Sequence, residues 1–316
     1  MVTALPARAA FRWKILVLAF IVAISGAFAA SENSEIAKRR AGERRTFSDG
    51  EILDGFFKIT FGAEFHVAGR VDRIRKYDTP VRIFIDNRAA PDRSKQVADA
   101  ITDIRSRIRD LDIALTEKRI DANVVVTLVR DRDLSRTIRS IYGIERARRI
   151  QNSLEPQCLS GFRKDETYRI LHSDVILVAD AGEFIFYDCV YEELLQALGP
   201  INDDATVPWS MFNDEVQLGF FGVYDQYLLN LLYHPRIRPG MTRAEVETMM
   251  PEILPAVRAW VAQVNKLPQW GIRSERCSSV KRCGADDACV NDLSGAGKLC
   301  ATFQPQSAAT TRRRGT

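Results

Sequence analysis

Histidine is scarce in this sequence, with three residues among 316. His66, His172 and His234 are far apart, and no two of them have the close spacing of a metal-binding pair. We therefore expect each histidine to be an ordinary surface or core residue. A G-x-S-x-G sequence is also absent, which argues against an α/β-hydrolase.

An excess of one charge is also lacking, since 45 Lys and Arg residues stand against 41 Asp and Glu residues. This balance argues against a dedicated nucleic-acid-binding protein. The sequence is not short of apolar residues either, because 46% of it is hydrophobic and 27% is charged. That composition excludes disorder of the whole chain and supports a packed core.

The N-terminus has the pattern of an export signal. Arg8, Arg12 and Lys14 precede an apolar run that extends to Phe28, and the run ends in Ala27-Phe28-Ala29. We predict that residues 1–29 are a cleaved signal peptide and that the mature protein is periplasmic or secreted, with no membrane span. The alternative is an uncleaved anchor, but about 14 apolar residues are few for a bilayer that needs roughly 20.

Cysteine is absent before residue 158, so a lipid anchor at the cleavage site is not expected. The even number of cysteines in an exported chain predicts disulfide bonds. Four of them are spaced C-x5-C-x5-C-x10-C, without the C-x2-C pairs of zinc ribbons, and predict a small two-disulfide module whose pairing is open. They are Cys277, Cys283, Cys289 and Cys300. Cys158 and Cys189 then remain to pair with each other.

We divide the chain into a signal peptide, a basic linker (30–46), a main domain (47–270), a Cys-rich module (271–302) and a disordered tail (303–316). Ordered structure is expected from about Ser48. We expect the linker to be solvated; the alternative is that its basic residues are attracted to an anionic envelope surface. Capping boxes at Ser48 and Thr242 predict helix starts. Periodicity predicts a helix from about Asp92 to Leu115, and strands at 168–178 and 183–187 before a helix from about Asp188 to Leu198.

The most informative segment is Cys189-Val-Tyr-Glu-Glu-Leu-Leu-Gln-Ala-Leu-Gly-Pro-Ile-Asn-Asp203. On a helix, Glu192 and Gln196 lie on one face because they are four residues apart. Gly199 allows the chain to leave the helix with a positive φ, so that Asn202 could return to the same face. Alternatively, Glu192, Glu193 and Gln196 are only the polar side of an amphipathic helix.

This layout resembles the metzincin pattern H-E-x-x-H-x-x-G-x-x-H of zinc proteases. In that resemblance, Glu192, Gln196 and Asn202 occupy the three metal-ligand positions, and Glu193 keeps the position of the general base. Met211, in Ser210-Met211, corresponds to the methionine turn below the metal. The resemblance implies an α+β fold, a zincin/metzincin-like mixed sheet with packed helices, followed by the small C-terminal disulfide-rich module.

A second resemblance is to an uncharacterised family of exported proteobacterial proteins, some of which are described as lipoproteins. It rests on C-x-x-E-E-x-x-Q-x-L-G from Cys189 to Gly199, on Asn202-Asp203, and on Ser210-Met-Phe-Asn-Asp214. It also includes Leu232-Tyr233-His-Pro235 and Pro239-Gly240-Met241. The family has no established activity, so this resemblance implies no chemistry. The lipoprotein cysteine is missing from this chain.

The exchange of histidine for Glu, Gln and Asn replaces nitrogen donors with oxygen donors. Zinc sites use His nitrogen and Cys sulfur far more often, so we expect no zinc and no cofactor; a weakly held hard cation such as calcium is the alternative. Without zinc, Glu193 would be a poor general base. We therefore expect a non-catalytic envelope protein that binds a protein or peptide partner. The alternatives are an atypical metal-dependent hydrolase using Glu193 and a purely structural exported domain.

Overall fold

A computed structural model describes residues 33–62, 72–153, 157–200, 202–267, 287–291 and 298–302. The predicted signal peptide, the tail, His66, Cys277 and Cys283 lie outside these ranges. The described residues up to Leu267 belong to one compact unit, and those from Asp287 onward belong to a second unit.

The first unit contains eight helices and five strands among its described residues. In chain order, the helices are α1 (Ser34–Ala41), α2 (Asp49–Thr60), α3 (Ser94–Arg107), α4 (Asp131–Tyr142), α5 (Ile144–Ser153), α6 (Glu183–Gln196), α7 (Val223–Tyr233) and α8 (Arg243–Val264). The strands are β1 (Val81–Asn87), β2 (Ile113–Leu115), β3 (Val124–Val129), β4 (Cys158–Lys164) and β5 (Ile170–Val178). The fold is therefore mixed α/β, and the prediction of a mixed sheet with packed helices is confirmed.

The five strands form one sheet in the order β2-β1-β3-β5-β4. β2, β1, β3 and β5 run parallel to one another, whereas β4 runs antiparallel to β5 at the edge. β3 has the sequence Val-Val-Val-Thr-Leu-Val, and all six of its residues are buried. Such a continuous apolar run is typical of a parallel strand covered on both faces.

Helices cover both faces of the sheet and create two separate cores. On the first face, α3 and α6 enclose the larger core, which also includes α7 and α8. On the second face, α4 and α5 enclose a smaller core. The smaller core comprises Val129, Leu134, Ile138, Ala147, Ile150, Leu159, Ile176 and Val178.

The segment predicted as a basic linker contains helix α1, so ordered structure begins before Ser48. Asn33 caps this helix by accepting hydrogen bonds from two backbone N–H groups. Ile36 is buried against the domain, and the guanidinium group of Arg39 lies 4.5 Å from the ring centre of Phe184. Composition alone did not indicate this docking, because a single apolar residue, cation–π contacts and hydrogen bonds to Glu183 and Gln217 attach the helix.

The helix predicted to reach Leu115 ends at Arg107, and residues 113–115 form β2 instead. Asn230 and Trp260 explain the early end, since both donate hydrogen bonds to the carbonyl oxygen of Arg107. The strand predicted at 183–187 is also wrong, because those residues are the first turns of α6. A short apolar segment such as 183–187 cannot be assigned to strand or helix by periodicity alone.

Both predicted capping boxes are confirmed, at Ser48–Glu51 and at Thr242–Glu245. Within the described ranges, none of the helices combines the length and the apolar character needed to cross a bilayer.

In the second unit, β6 (Asp287–Asn291) and β7 (Lys298–Thr302) form an antiparallel pair. Cys289 and Cys300 are opposite each other in its register. The two-disulfide module and its pairing stay predictions.

Candidate functional site

Helix α6 carries the motif and is covalently attached to the edge of the sheet. Cys189 on α6 forms a disulfide with Cys158 on β4, with 5.8 Å between the Cα atoms, which confirms the predicted pair. At the end of α6, Gly199 has φ 139°, and a Cβ atom there would lie 2.3 Å from the carbonyl oxygen of Arg75. Only glycine fits this turn, as the sequence predicted.

Gln196 connects the edge strand to the loop after α6. Its Oε1 accepts a hydrogen bond from Ser160 Oγ on β4 at 3.2 Å. Its Nε2 lies 3.2 Å and 3.3 Å from the two carboxylate oxygens of Asp203 and donates to them. Gln196 is buried, so these contacts satisfy both ends of an amide that water scarcely reaches.

Three carboxylates converge beside Gln196. One oxygen from each of Glu192, Asp203 and Asp214 lies within 4.8 Å of the others. Glu192 and Asp203 are half-buried and Asp214 is exposed, so the group opens to solvent on one side. We call Glu192, Asp203 and Asp214 the carboxylate triad.

Burial and neighbouring negative charges raise the pKa of Glu192 well above its usual range. Burial is the larger cause, followed by the charges of Glu193 and Asp203, with Asp188 and Asp214 contributing less. An acid in these surroundings holds its proton or attracts a cation, because either one relieves the repulsion.

Glu193, the predicted general base, is buried with 6% of its surface exposed. Its charge acts on Glu192 and also on Tyr142 of α4, whose pKa is raised mainly by burial. Glu193 thus lies close enough to the triad to influence its protonation.

Asn202, predicted as the third ligand position, is hydrogen-bonded to α2. Its Nδ2 donates to the carbonyl oxygen of Lys58 on α2 at 3.0 Å. Gly62 makes room for it, because a Cβ atom at that position would be 2.3 Å from Asn202 Cγ. Asp203, the next residue, is the one that contacts Gln196.

Met211 lies in a buried turn, as its side chain is 1% exposed. Asp225, in the first turn of α7, accepts hydrogen bonds from Ser210 Oγ at 2.5 Å and from the Met211 N–H at 3.1 Å. Burial raises the pKa of Asp225 to about 7, although both hydrogen bonds act to lower it. The chain beyond this turn returns to α6, where Asp188 accepts hydrogen bonds from Leu218 and Gly219.

The donor atoms of the triad do not fit zinc. All three are carboxylate oxygens, and among the described residues no histidine or cysteine belongs to the group. Hard cations such as Ca²⁺ and Mg²⁺ prefer such oxygen donors. His172 instead lies 3.2 Å from Asp174 on its own strand, and His234 follows α7.

Sequence reasoning missed Asp214 as a neighbour of Glu192 and Ser160 as a partner of Gln196. Asp214 follows the methionine turn by three residues, so the expected return of that turn to α6 was the available signal. Ser160 had no signal, because β4 was not predicted as a strand.

Comparison with known proteins gives one family. A family model described as a protein of unknown function (DUF2927) matches residues 49–252, nearly two thirds of the chain. No curated protein matches it.

Proposed function

The chain belongs to the DUF2927 family, and from that premise we propose that it is a non-catalytic, metzincin-like protein of the cell envelope that binds an extended peptide or protein segment. The groove would lie beside edge strand β4, next to Ser160 and Gln196. This function needs the shape of a protease site but not its metal.

The observation that carries this proposal is that both ends of the Gln196 amide are hydrogen-bonded within the protein. Gln196 occupies a position at which a metzincin has a zinc ligand. Its amide oxygen accepts a hydrogen bond from Ser160, and its amide nitrogen donates one to Asp203. Such a bridge holds the edge strand and the loop together without any metal. An amide is also a weak ligand compared with the imidazole that a zinc enzyme requires.

The surroundings of Gln196 support a metzincin-like frame. The motif helix α6 packs below the edge of the sheet, and the buried Ser210–Met211 turn leads to a segment that reaches α6 at Asp188. The sequence resemblance predicts both features for a protein of this kind.

The edge strand supports peptide binding. β4 pairs with β5 on one side and with no other described strand on the other. An extended peptide can add to such an edge through main-chain hydrogen bonds, while pockets beside the strand select its side chains.

Nuclear magnetic resonance of the ¹⁵N-labelled protein tests this binding with a library of random decapeptides as the probe. We expect amide shifts concentrated in residues 158–164. A library of the same composition with N-methylated backbones is the matched control, since it cannot form the main-chain hydrogen bonds. Equal shifts with both libraries, or none in β4, would contradict the proposal.

A hydrolase that depends on a hard cation is the second candidate, and the carboxylate triad favours it. Elemental analysis of the purified protein, with thermal melts in Ca²⁺ and in chelator, tests for the cation. A peptidase assay then compares the wild type with Glu193→Gln. Stoichiometric metal together with a rate that falls in the variant would replace the non-catalytic proposal, whereas equal rates would exclude Glu193 as a base.

A further inference from the structure

The α4–α5 pair concentrates positive charge on the second face of the sheet. From Arg130 to Ser153 the sequence has seven arginines and three acidic residues, although the whole chain is nearly balanced. Arg132, Arg136 and Arg139 are all exposed and lie on one side of α4, at positions i, i+4 and i+7.

Acidic groups offset this charge mainly at the start of α4. Asp133 lies 2.7 Å from Arg136, and Asp180 accepts a hydrogen bond from the N–H group of Asp131. Where α4 meets α5, Glu145 approaches Arg148 to 3.4 Å. Arg139 and Arg146 form no ion pair with any residue in the described ranges, although Arg146 lies 5.0 Å from the ring centre of Tyr142. Net positive charge therefore remains where α4 meets α5.

An exposed apolar residue lies between these two arginines in the sequence. Gly143 has φ 79° and turns the chain from α4 into α5, and the next residue, Ile144, is 64% exposed. The inner sides of both helices are anchored, because Ile138 and Ala147 are buried in the smaller core. The outer side is therefore a fixed surface rather than a loose segment. We call Arg139, Ile144 and Arg146 the basic tip.

We propose that the basic tip docks the protein on an anionic phospholipid bilayer. Arginines beside a negatively charged bilayer are attracted to its phosphates, and an exposed isoleucine can enter the boundary between headgroups and acyl chains. Duplex nucleic acid offers phosphates as well, but it has no apolar layer that would accept Ile144. This inference goes beyond the proposed peptide binding and uses a different face of the sheet.

The test measures contact at the tip itself. Ile144→Cys in the full chain is labelled with an environment-sensitive fluorophore, with unsubstituted protein as the background for labelling. Vesicles of phosphatidylglycerol and phosphatidylcholine in equal parts should shift the emission to the blue, and vesicles of phosphatidylcholine alone should not. The same label at Ile120→Cys is the matched control, because Ile120 is 89% exposed elsewhere on the molecule.

The charge requirement has its own variants. Arg139→Gln with Arg146→Gln should weaken vesicle binding about fivefold for each arginine removed. Arg105→Gln with Lys118→Gln removes two exposed charges on another part of the surface and should leave binding unchanged. Equal losses from both pairs, or no blue shift at residue 144, would overturn the proposal. Binding of duplex DNA that depends on Arg139 and Arg146, without a shift on vesicles, would overturn it in favour of nucleic acid.

Discussion

The two faces of the sheet place charge in opposite ways. The core on the first face encloses carboxylates, among them Asp188, Glu193 and Asp225, each at most 6% exposed. The second face keeps its core apolar apart from Thr127 and Thr137 and carries arginines on the outside of α4 and α5. A face that buries acids must satisfy them with hydrogen bonds, protons or cations, whereas an exposed basic face remains available to an external partner.

The buried acids of the first face have a structural role, whereas the exposed arginines of the second face are available for binding. Asp225 and Asp188 accept backbone hydrogen bonds that fix two loops, so those buried acids organise the first face. Among the described residues, the arginines of the basic tip fix no loop in this way, and Arg146 contacts only the ring of Tyr142 in the preceding helix. We therefore expect substitutions on the first face to affect stability and substitutions at the tip to affect binding.

Matched truncations in β5 compare the two cores most directly. Leu177 and Ile176 are adjacent, both are 0% exposed, and they point into the larger and the smaller core respectively. Leu177→Ala should cost about 4–5 kcal/mol of unfolding free energy and Ile176→Ala about 2–3 kcal/mol, because two surface helices can close over a cavity more readily than a large core. Urea denaturation measures both, and a larger loss for Ile176→Ala would reverse the comparison.

The disulfide gives the next largest effect, since it attaches β4 to α6 on the first face. Cys158 and Cys189 are separated by 31 residues, and a closed loop of this length contributes about 3–4 kcal/mol. We expect Cys158→Ala with Cys189→Ala to lose that amount in urea denaturation.

Reducing agent provides the control for this variant. It should destabilise the wild type but leave the stability of the double variant unchanged, apart from any contribution of the C-terminal cysteines. If the double variant were as stable as the oxidised wild type, β4 would be held without the bond.

The comparison also shows what the sequence could predict. Local signals were sufficient for the capping boxes, and the number and spacing of the cysteines were sufficient for the disulfide. Gly199 and the side-by-side placement of Glu192 and Gln196 followed from helix geometry. These features depend on residues that are close in sequence or belong to a fixed pattern.

Features that depend on distant residues could not be predicted. The end of α3 is set by Asn230 and Trp260, more than a hundred residues away, and Asn202 is drawn to a carbonyl oxygen on α2. The carboxylate triad joins three segments, so spacing along the chain did not reveal it. The basic tip could not be recognised without knowing which sides of α4 and α5 are buried.

The last and smallest expected effect is the pH dependence of the buried acids. The folded-state pKa values of Glu192 and Asp225 are raised above their ordinary values of 4.5 and 3.8. The folded state therefore binds these protons more tightly than the unfolded state. Their contribution to stability is present at low pH and is lost as the pH rises. For Asp225 the loss extends from about pH 4 to about pH 7, and for Glu192 it continues to higher pH.

Glu192→Gln should remove part of this loss because glutamine carries no charge at any pH. Relative to the wild type, we expect the variant to gain about 1–3 kcal/mol of unfolding free energy between about pH 5 and about pH 9, the scale of a buried polar group's desolvation. Glu117→Gln, at an exposed position, is the matched control and should show no such trend. A wild-type protein that becomes more stable on Ca²⁺ addition at high pH, where the variant does not, would show that a cation takes the place of the proton. Parallel stability curves for wild type and variant would mean that Glu192 is ionised in the folded protein without cost, and the contrast between the two faces would then rest on packing alone.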